Sequence, residues 1–266
     1  MRTSLFAVIS CVLLTACSEY QKVLKGDDTA RKYAVADSLY QLGKYKKSLK
    51  LMEQIVPAYR GKPQAERLMY MYANTFYELE DFYLAGYQFE RFETSYPASD
   101  SAEVAAYKSA KSYYELSPRY SLDQKDTYTA LNKLQSYINK YPASEKRTEA
   151  NALVAELRMK LEKKDYEIAH QLLDIEDYKA AIEAFDNFIA DHPGSYLRKD
   201  AFFARLRAGY ELAIRSLPSL VEERLETART YYNSFKKYYS NSELMAEAEE
   251  INNDISARLA NTESIE

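Results

Sequence analysis

The apolar positions of this chain recur in one fixed order five times. Counting from Tyr45, Phe82, Thr127, Tyr178 and Leu225, each segment carries a small side chain three residues on: Ser48, Ala85, Ala130, Ala181 and Ala228. Seven residues on stand Met52, Phe89, Leu134, Phe185 and Tyr232, and ten on stand Ile55, Phe92, Tyr137, Phe188 and Phe235. The last column, fourteen on, is Tyr59, Tyr96, Tyr141, His192 and Tyr239. Offsets of 0, 3, 7, 10 and 14 trace one face of an α-helix. The small residue lets a neighbouring helix come close, and the large ones fill the space on either side. Each such side chain contributes roughly 1.5–3 kcal/mol when buried. Pro97, Pro142 and Pro193 follow the last column and cannot continue a helix. Ser99, Ser144 and Ser242 then stand where the next helix wants an N-cap.

The pattern predicts five helix pairs, over 28–59, 63–96, 100–141, 144–192 and 196–239. Segment 145–175 holds few helix breakers and reads as one long helix, and a second long helix is expected over 196–222, stopping near Pro218. A final helix over about 242–260 places Leu244, Ala248, Ile251, Ile255 and Leu259 on one stripe, with the other faces polar, as a capping helix requires. The repeated unit resembles the second helix of a tetratricopeptide repeat. It departs from that repeat at the fourth column, where bulk replaces a small residue. Its anchors also lie 37, 45, 51 and 47 residues apart, longer than the usual period of about 34. The expected fold is therefore an all-α solenoid of five tetratricopeptide-like helix pairs plus a C-terminal capping helix, spanning 28–260. Residues 261–266 read as a disordered tail.

Composition agrees with helix almost throughout, since the chain has 6 glycines, no tryptophan and 26 tyrosines. The N-terminus adds an address. Arg2 begins a positive region, Leu5 to Leu14 an apolar run, and Leu14-Thr15-Ala16-Cys17 resembles a lipobox, the processing signature of bacterial lipoproteins. The run is too short to span a bilayer, which takes about 20 residues. Residues 1–16 are thus expected to be a signal peptide, Cys17 the lipidated residue, and 17–27 a flexible tether. With Cys11 removed and Cys17 acylated, no thiol is left for a disulfide or a thiolate metal site. No cofactor is expected beyond that covalent lipid. Net charge is −4 with acidic and basic residues interleaved, and nothing suggests a nucleic-acid-binding face.

Candidate chemistry is sparse. His170 and His192 are far apart, and His192 fills a repeat column. Neither sits at metal-ligand spacing, and no phosphate-binding glycine loop or nucleophile elbow is present. Glu80-Asp81 and Glu176-Asp177 precede anchor residues and are explained by helix N-terminal electrostatics. One stretch falls outside the repeat: Ser117-Pro118-Arg119-Tyr120-Ser121-Leu122-Asp123-Gln124, inside the third pair. It reads either as a plain insertion or as a docking loop. Tyr107, Tyr113, Tyr114 and Tyr120 cluster on the first helix of that pair and the loop after it. In tetratricopeptide solenoids the first helices line the concave groove. Tyr107, Tyr114, Tyr120, Asp123 and Gln124 are therefore the candidate partner-binding residues, tyrosine combining large area with a hydrogen-bonding tip.

The lipobox, the Tyr20-Gln21-Lys22-Val23-Leu24-Lys25 segment, five divergent helix pairs, repeated Tyr-Pro-x-Ser ends and the position of the insertion together resemble the BamD family. These are lipoprotein subunits of the machinery that assembles outer-membrane β-barrels. The resemblance implies a non-enzymatic scaffold, lipid-anchored in the outer membrane and facing the periplasm. Its implied partners are a BamA-like barrel subunit, bound largely through the C-terminal repeats, and unfolded barrel substrates, engaged by the N-terminal repeats. Ser18 after Cys17, where an aspartate would retain many lipoproteins in the inner membrane, agrees with that location. The competing reading is another envelope repeat adaptor of the CpoB type, acting in cell division or peptidoglycan coordination.

Overall fold

A computed structural model of the chain describes residues 19–263, all of whose regular elements are helices. The signal peptide, Cys17 and Ser18 lie outside the described residues. The chain divides into two compact units, the first ending within residue 154 and the second comprising 155 onward with the short segment 119–122. In the first unit a helical stretch, residues 19–25 (α1), precedes α2 (Thr29–Gln41) and α3 (Tyr45–Tyr59). Next come α4 (Ala65–Glu78) with α5 (Phe82–Ser95), and α6 (Ala102–Glu115) with α7 (Lys125–Lys140). Helix α8 (Arg147–Asp174) is the long helix expected from the sequence. The second unit holds α9 (Tyr178–Asp191), α10 (Arg198–Ile214), α11 (Pro218–Tyr239) and α12 (Met245–Glu263). The fold class is all-α, of the solenoid type built from tetratricopeptide-like helix pairs with a terminal capping helix.

The repeat columns are the core. Ser48, Ala85, Ala130, Ala181 and Ala228 are all fully buried, at 0% exposure. The two large columns that follow are buried in every copy. Where helices cross closely the small side chains are required. Ser48 Oγ donates to the Ala36 carbonyl at 2.7 Å, and Ser109 Oγ to the Gly86 carbonyl at 3.0 Å. A Cβ on Gly86 would stand 3.0 Å from the Tyr113 ring, and one on Gly209 2.8 Å from that of Tyr231. The fourth and last columns meet ring against ring at a tilt, with centroids 5.4 Å apart for Phe92–Tyr96, 5.5 Å for Tyr137–Tyr141, 4.9 Å for Phe188–His192 and 5.8 Å for Phe235–Tyr239.

The corners repeat as well. In pairs one, two and four the first helix closes with a Schellman pattern, as in Asp81 N–H to Phe76 O at 2.9 Å and Glu80 N–H to Tyr77 O at 3.0 Å. The left-handed residue is Gly43 in pair one, but Glu80 (φ 60°) and Glu176 (φ 61°) in pairs two and four. The next residue opens the second helix: Asp81 and Asp177 accept there from the Leu84 and Ala180 N–H groups. Thus in each acidic doublet only the aspartate caps a helix, and the glutamate supplies the turn.

Four expectations change. Residues 19–25 are helical rather than a flexible tether, because Tyr20, Val23 and Leu24 form an apolar stripe that packs on the α2–α3 core. The serines are not the caps of the helices that follow. Ser99, Ser144 and Ser242 accept from the N–H two residues on, at 3.1, 3.0 and 3.1 Å, within a turn that precedes the first helical residue. Pro218 starts α11 instead of stopping α10, since proline at the first helical position loses no hydrogen bond. Finally, α12 runs to Glu263, into the expected tail, and residues 264–266 lie outside the described residues.

Two outcomes are expected from this packing. Ala85→Trp and Ala181→Trp each lower stability by about 1–3 kcal/mol or more through overpacking, and unchanged thermal unfolding in both would contradict the column register. Glu80→Gly and Glu176→Gly relieve a left-handed side chain and raise stability by up to about 1 kcal/mol, read from the same unfolding curves.

Candidate functional site

The candidate residues of the third pair have different fates. Tyr107 is a core residue at 6% exposure, its ring 5.4 Å from Tyr137, because on α6 it faces α7 rather than outward. Gln124 is also buried, and its Oε1 accepts from the Thr127 hydroxyl at 2.7 Å, tying the loop end to the start of α7. Neither presents a surface to a partner. Asp123 is exposed and its carboxylate accepts from the Lys125 N–H at 2.9 Å, a turn that launches α7. Tyr114 is half-buried. Tyr120 belongs with the second unit, where Lys163 sits 4.5 Å above its ring and the Leu122 carbonyl accepts from Lys164 at 2.6 Å. With Lys164, Glu167 and Gln171 of α8 it lines a cleft of about 380 Å³. The five residues do not form one site within either unit.

A larger cleft lies in the first unit, between the first and second helix pairs. Its volume is about 450 Å³; Tyr40 from α2 and Tyr70 from α4 line it, backed by the buried Met71 of α4 and Phe92 of α5. Tyr70 meets Phe89 and Phe92 edge-on at 5.8 and 5.4 Å, so its ring is held by the repeat columns themselves. Tyr40 is fixed by Asn74, whose Nδ2 donates to its hydroxyl at 2.7 Å, and burial pushes that hydroxyl up to about 12. Both phenols are therefore neutral donors at physiological pH. Glu66 and Arg67 stand at the exposed rim, where Arg67 Nη2 meets both Asp37 oxygens at 2.7 and 3.0 Å. The arrangement offers apolar pockets with polar tips and charges of both signs, suited to an extended peptide with large side chains.

The signal for this cleft was present in the Tyr70-Met71-Tyr72 run on a first helix. The tyrosine-rich third pair drew the prediction instead, because aromatic density does not distinguish core from wall.

The two histidines serve locally: His170 Nδ1 is 3.2 Å from Asp174, and His192 Nε2 is 3.1 Å from Asp165. Among the described residues no cluster of histidine, cysteine and carboxylate could hold a metal ion, and no helix is long and apolar enough to cross a membrane.

A strong electrostatic perturbation in the first unit is structural. Glu149 on α8 is held down at about 2 by the Tyr107 hydroxyl, turned toward it without a well-formed hydrogen bond, and by Lys111 and Lys146 at 3.1 and 3.2 Å. A carboxyl lowered by folding stabilises above its ordinary pKa and loses that contribution as pH falls through the folded value. Glu149→Gln should therefore destabilise at neutral pH and flatten the loss of stability between about pH 4.5 and 2. Thermal unfolding of both chains across that window checks it.

Comparison with known proteins gives the family. The sequence matches the family model described as YfiO, outer membrane lipoprotein, over residues 26–224. No curated protein matches the chain. Among solved structures it is similar to one described as "Podosopora anserina putative kinesin light chain nearly identical TPR-like repeats". The identity is 14% and the TM-score 0.32, with 82% of this chain and 100% of that one covered. An overlap that weak supports nothing further. The family match spans well over half of the chain, from just before α2 into α11. The chain therefore belongs to the YfiO (BamD) family of outer membrane lipoproteins.

Proposed function

We propose that this protein is a non-catalytic scaffold of outer-membrane β-barrel assembly, anchored through a lipid on Cys17 and facing the periplasm. It holds a BamA-like barrel subunit and presents unfolded barrel substrates to it. The observation that carries the substrate half of this reading is the aromatic cleft of Tyr40, Tyr70, Met71 and Phe92. An unfolded β-segment alternates apolar and polar side chains, and a prebuilt aromatic cleft takes the apolar ones without refolding around them. Support for the scaffold half comes from family membership. Tyr114, Tyr120 and Asp123 remain outer positions through which a partner could be held, whereas Tyr107 and Gln124 act only by shaping the fold.

Two measurements test this. Purification of the native lipoprotein through a tag is expected to bring down a BamA-like barrel protein, and its absence from the eluate would sink the scaffold reading. A photo-crosslinking residue in place of Arg67, at the cleft rim, is expected to capture unfolded barrel precursors. Capture at position 120 but not at 67 would move substrate binding to the inserted loop.

A further inference from the structure

The interleaved charge of the whole chain hides a local imbalance. Residues 19–63 carry ten lysines and arginines against five aspartates and glutamates, whereas residues 64–266 carry 25 against 35. Most of the five acids are already engaged. Glu19 pairs with Lys22 and Arg31, Asp37 with Arg67, and Asp28 caps α2 through the Ala30 and Arg31 N–H groups. What stays outward is basic. Lys25, Lys44, Lys46 and Lys50 are exposed and form no ion pair among the described residues.

The placement of these lysines opposes local stability. Lys44 occupies the N-cap of α3, the position that Asp81 and Asp177 hold in α5 and α9, and its side chain caps nothing. Lys46 and Lys47 follow in the first turn and Lys50 one turn on. Positive charge at a helix N-terminus meets the positive end of the helix dipole, so each of these residues is unfavourable where an acid would stabilise. The second helices of pairs three and five begin at Gln124 and Leu217, which cap nothing either. Only pair one places a lysine at the cap with two more in the first turn, and a sequence that breaks a local rule this way is expected to gain something else there. The same patch adjoins α1: Tyr20 donates to the Lys47 carbonyl at 3.1 Å, and Lys47 lies 5.4 Å from the Tyr20 ring. Helix α1 begins within two residues of Cys17.

We propose that the exposed lysines at the start of α3, with Lys25, form a basic surface that binds the anionic phospholipid headgroups of the membrane in which the chain is anchored. Basic side chains near an anionic surface each add about 1 kcal/mol of attraction, so the patch sets which face of the chain meets the bilayer. This rests on the lipid-anchor reading for its geometry, and the test separates the two.

Residues 17–266 bearing Cys17→Ser, which lack both the apolar leader and the acylation site, are tested by flotation with phosphatidylcholine vesicles, with and without phosphatidylglycerol. Binding to the anionic vesicles alone is expected, weakening as salt is raised. Lys44→Glu, Lys46→Glu and Lys50→Glu combined should reduce that binding on the order of a hundredfold, while thermal stability holds or rises. Equal flotation with both vesicles, no flotation, or unchanged binding by the folded triple variant would overturn the proposal. Association with an acidic protein in place of vesicles would overturn it as well. Incorporation of labelled palmitate by the unmutated chain, abolished by Cys17→Ser, reports the anchor separately. Its absence would remove the anchor and leave the vesicle result to stand or fall alone.

Discussion

The close approach of paired helices at one small residue per repeat is the constraint on which the rest depends. Ser48, Ala85, Ala130, Ala181 and Ala228 have no exposed surface, and each is followed on its own helix by two large buried side chains. Because the small residue sets the distance between helices, the aromatics around it have one place to go. Packed interiors tolerate neither gaps nor surplus volume, so the position of every later column follows from the first. The tilted ring pairs at the helix ends, from Phe92–Tyr96 to Phe235–Tyr239, then hold the turn that leads to the next pair.

The same economy accounts for the cleft. Phe92 belongs to a repeat column and is fully buried, yet its ring neighbour Tyr70 lines the wall. A core built from rigid rings thus lends its rigidity to the surface beside it. A cleft whose walls are fixed before a ligand arrives loses little entropy on binding. Along the chain the charge balance changes from basic in residues 19–63 to acidic in residues 64–266.

Sequence and structure agree where local rules and packing point the same way. The five pairs, the 28-residue α8 and the capping stripe of Ala248, Ile255 and Leu259 were legible because their periods are helical and their breakers unambiguous. Agreement fails where one residue type serves two physical ends. Pro218 opens a helix although proline also closes them. Glu80 and Glu176 adopt left-handed backbone that composition assigns to glycine, because the Schellman pattern around each is complete. Tyr107 and Tyr70 are both tyrosines on first helices, and only the helix packed against each decides which one is buried and which lines a cleft.

The sequence by itself determined the fold class and the number of helix pairs, since periodicity is a property of neighbours along the chain. Tertiary structure alone decided that residues 19–25 are part of the first core, that Tyr107 and Gln124 are interior, and that Tyr40, Tyr70 and Phe92 share one cleft. Those facts depend on which residues far apart in sequence meet in space. Helical periodicity says which face of a helix is covered, but the partner that covers it, and the gap it leaves, arise only when the helices are packed.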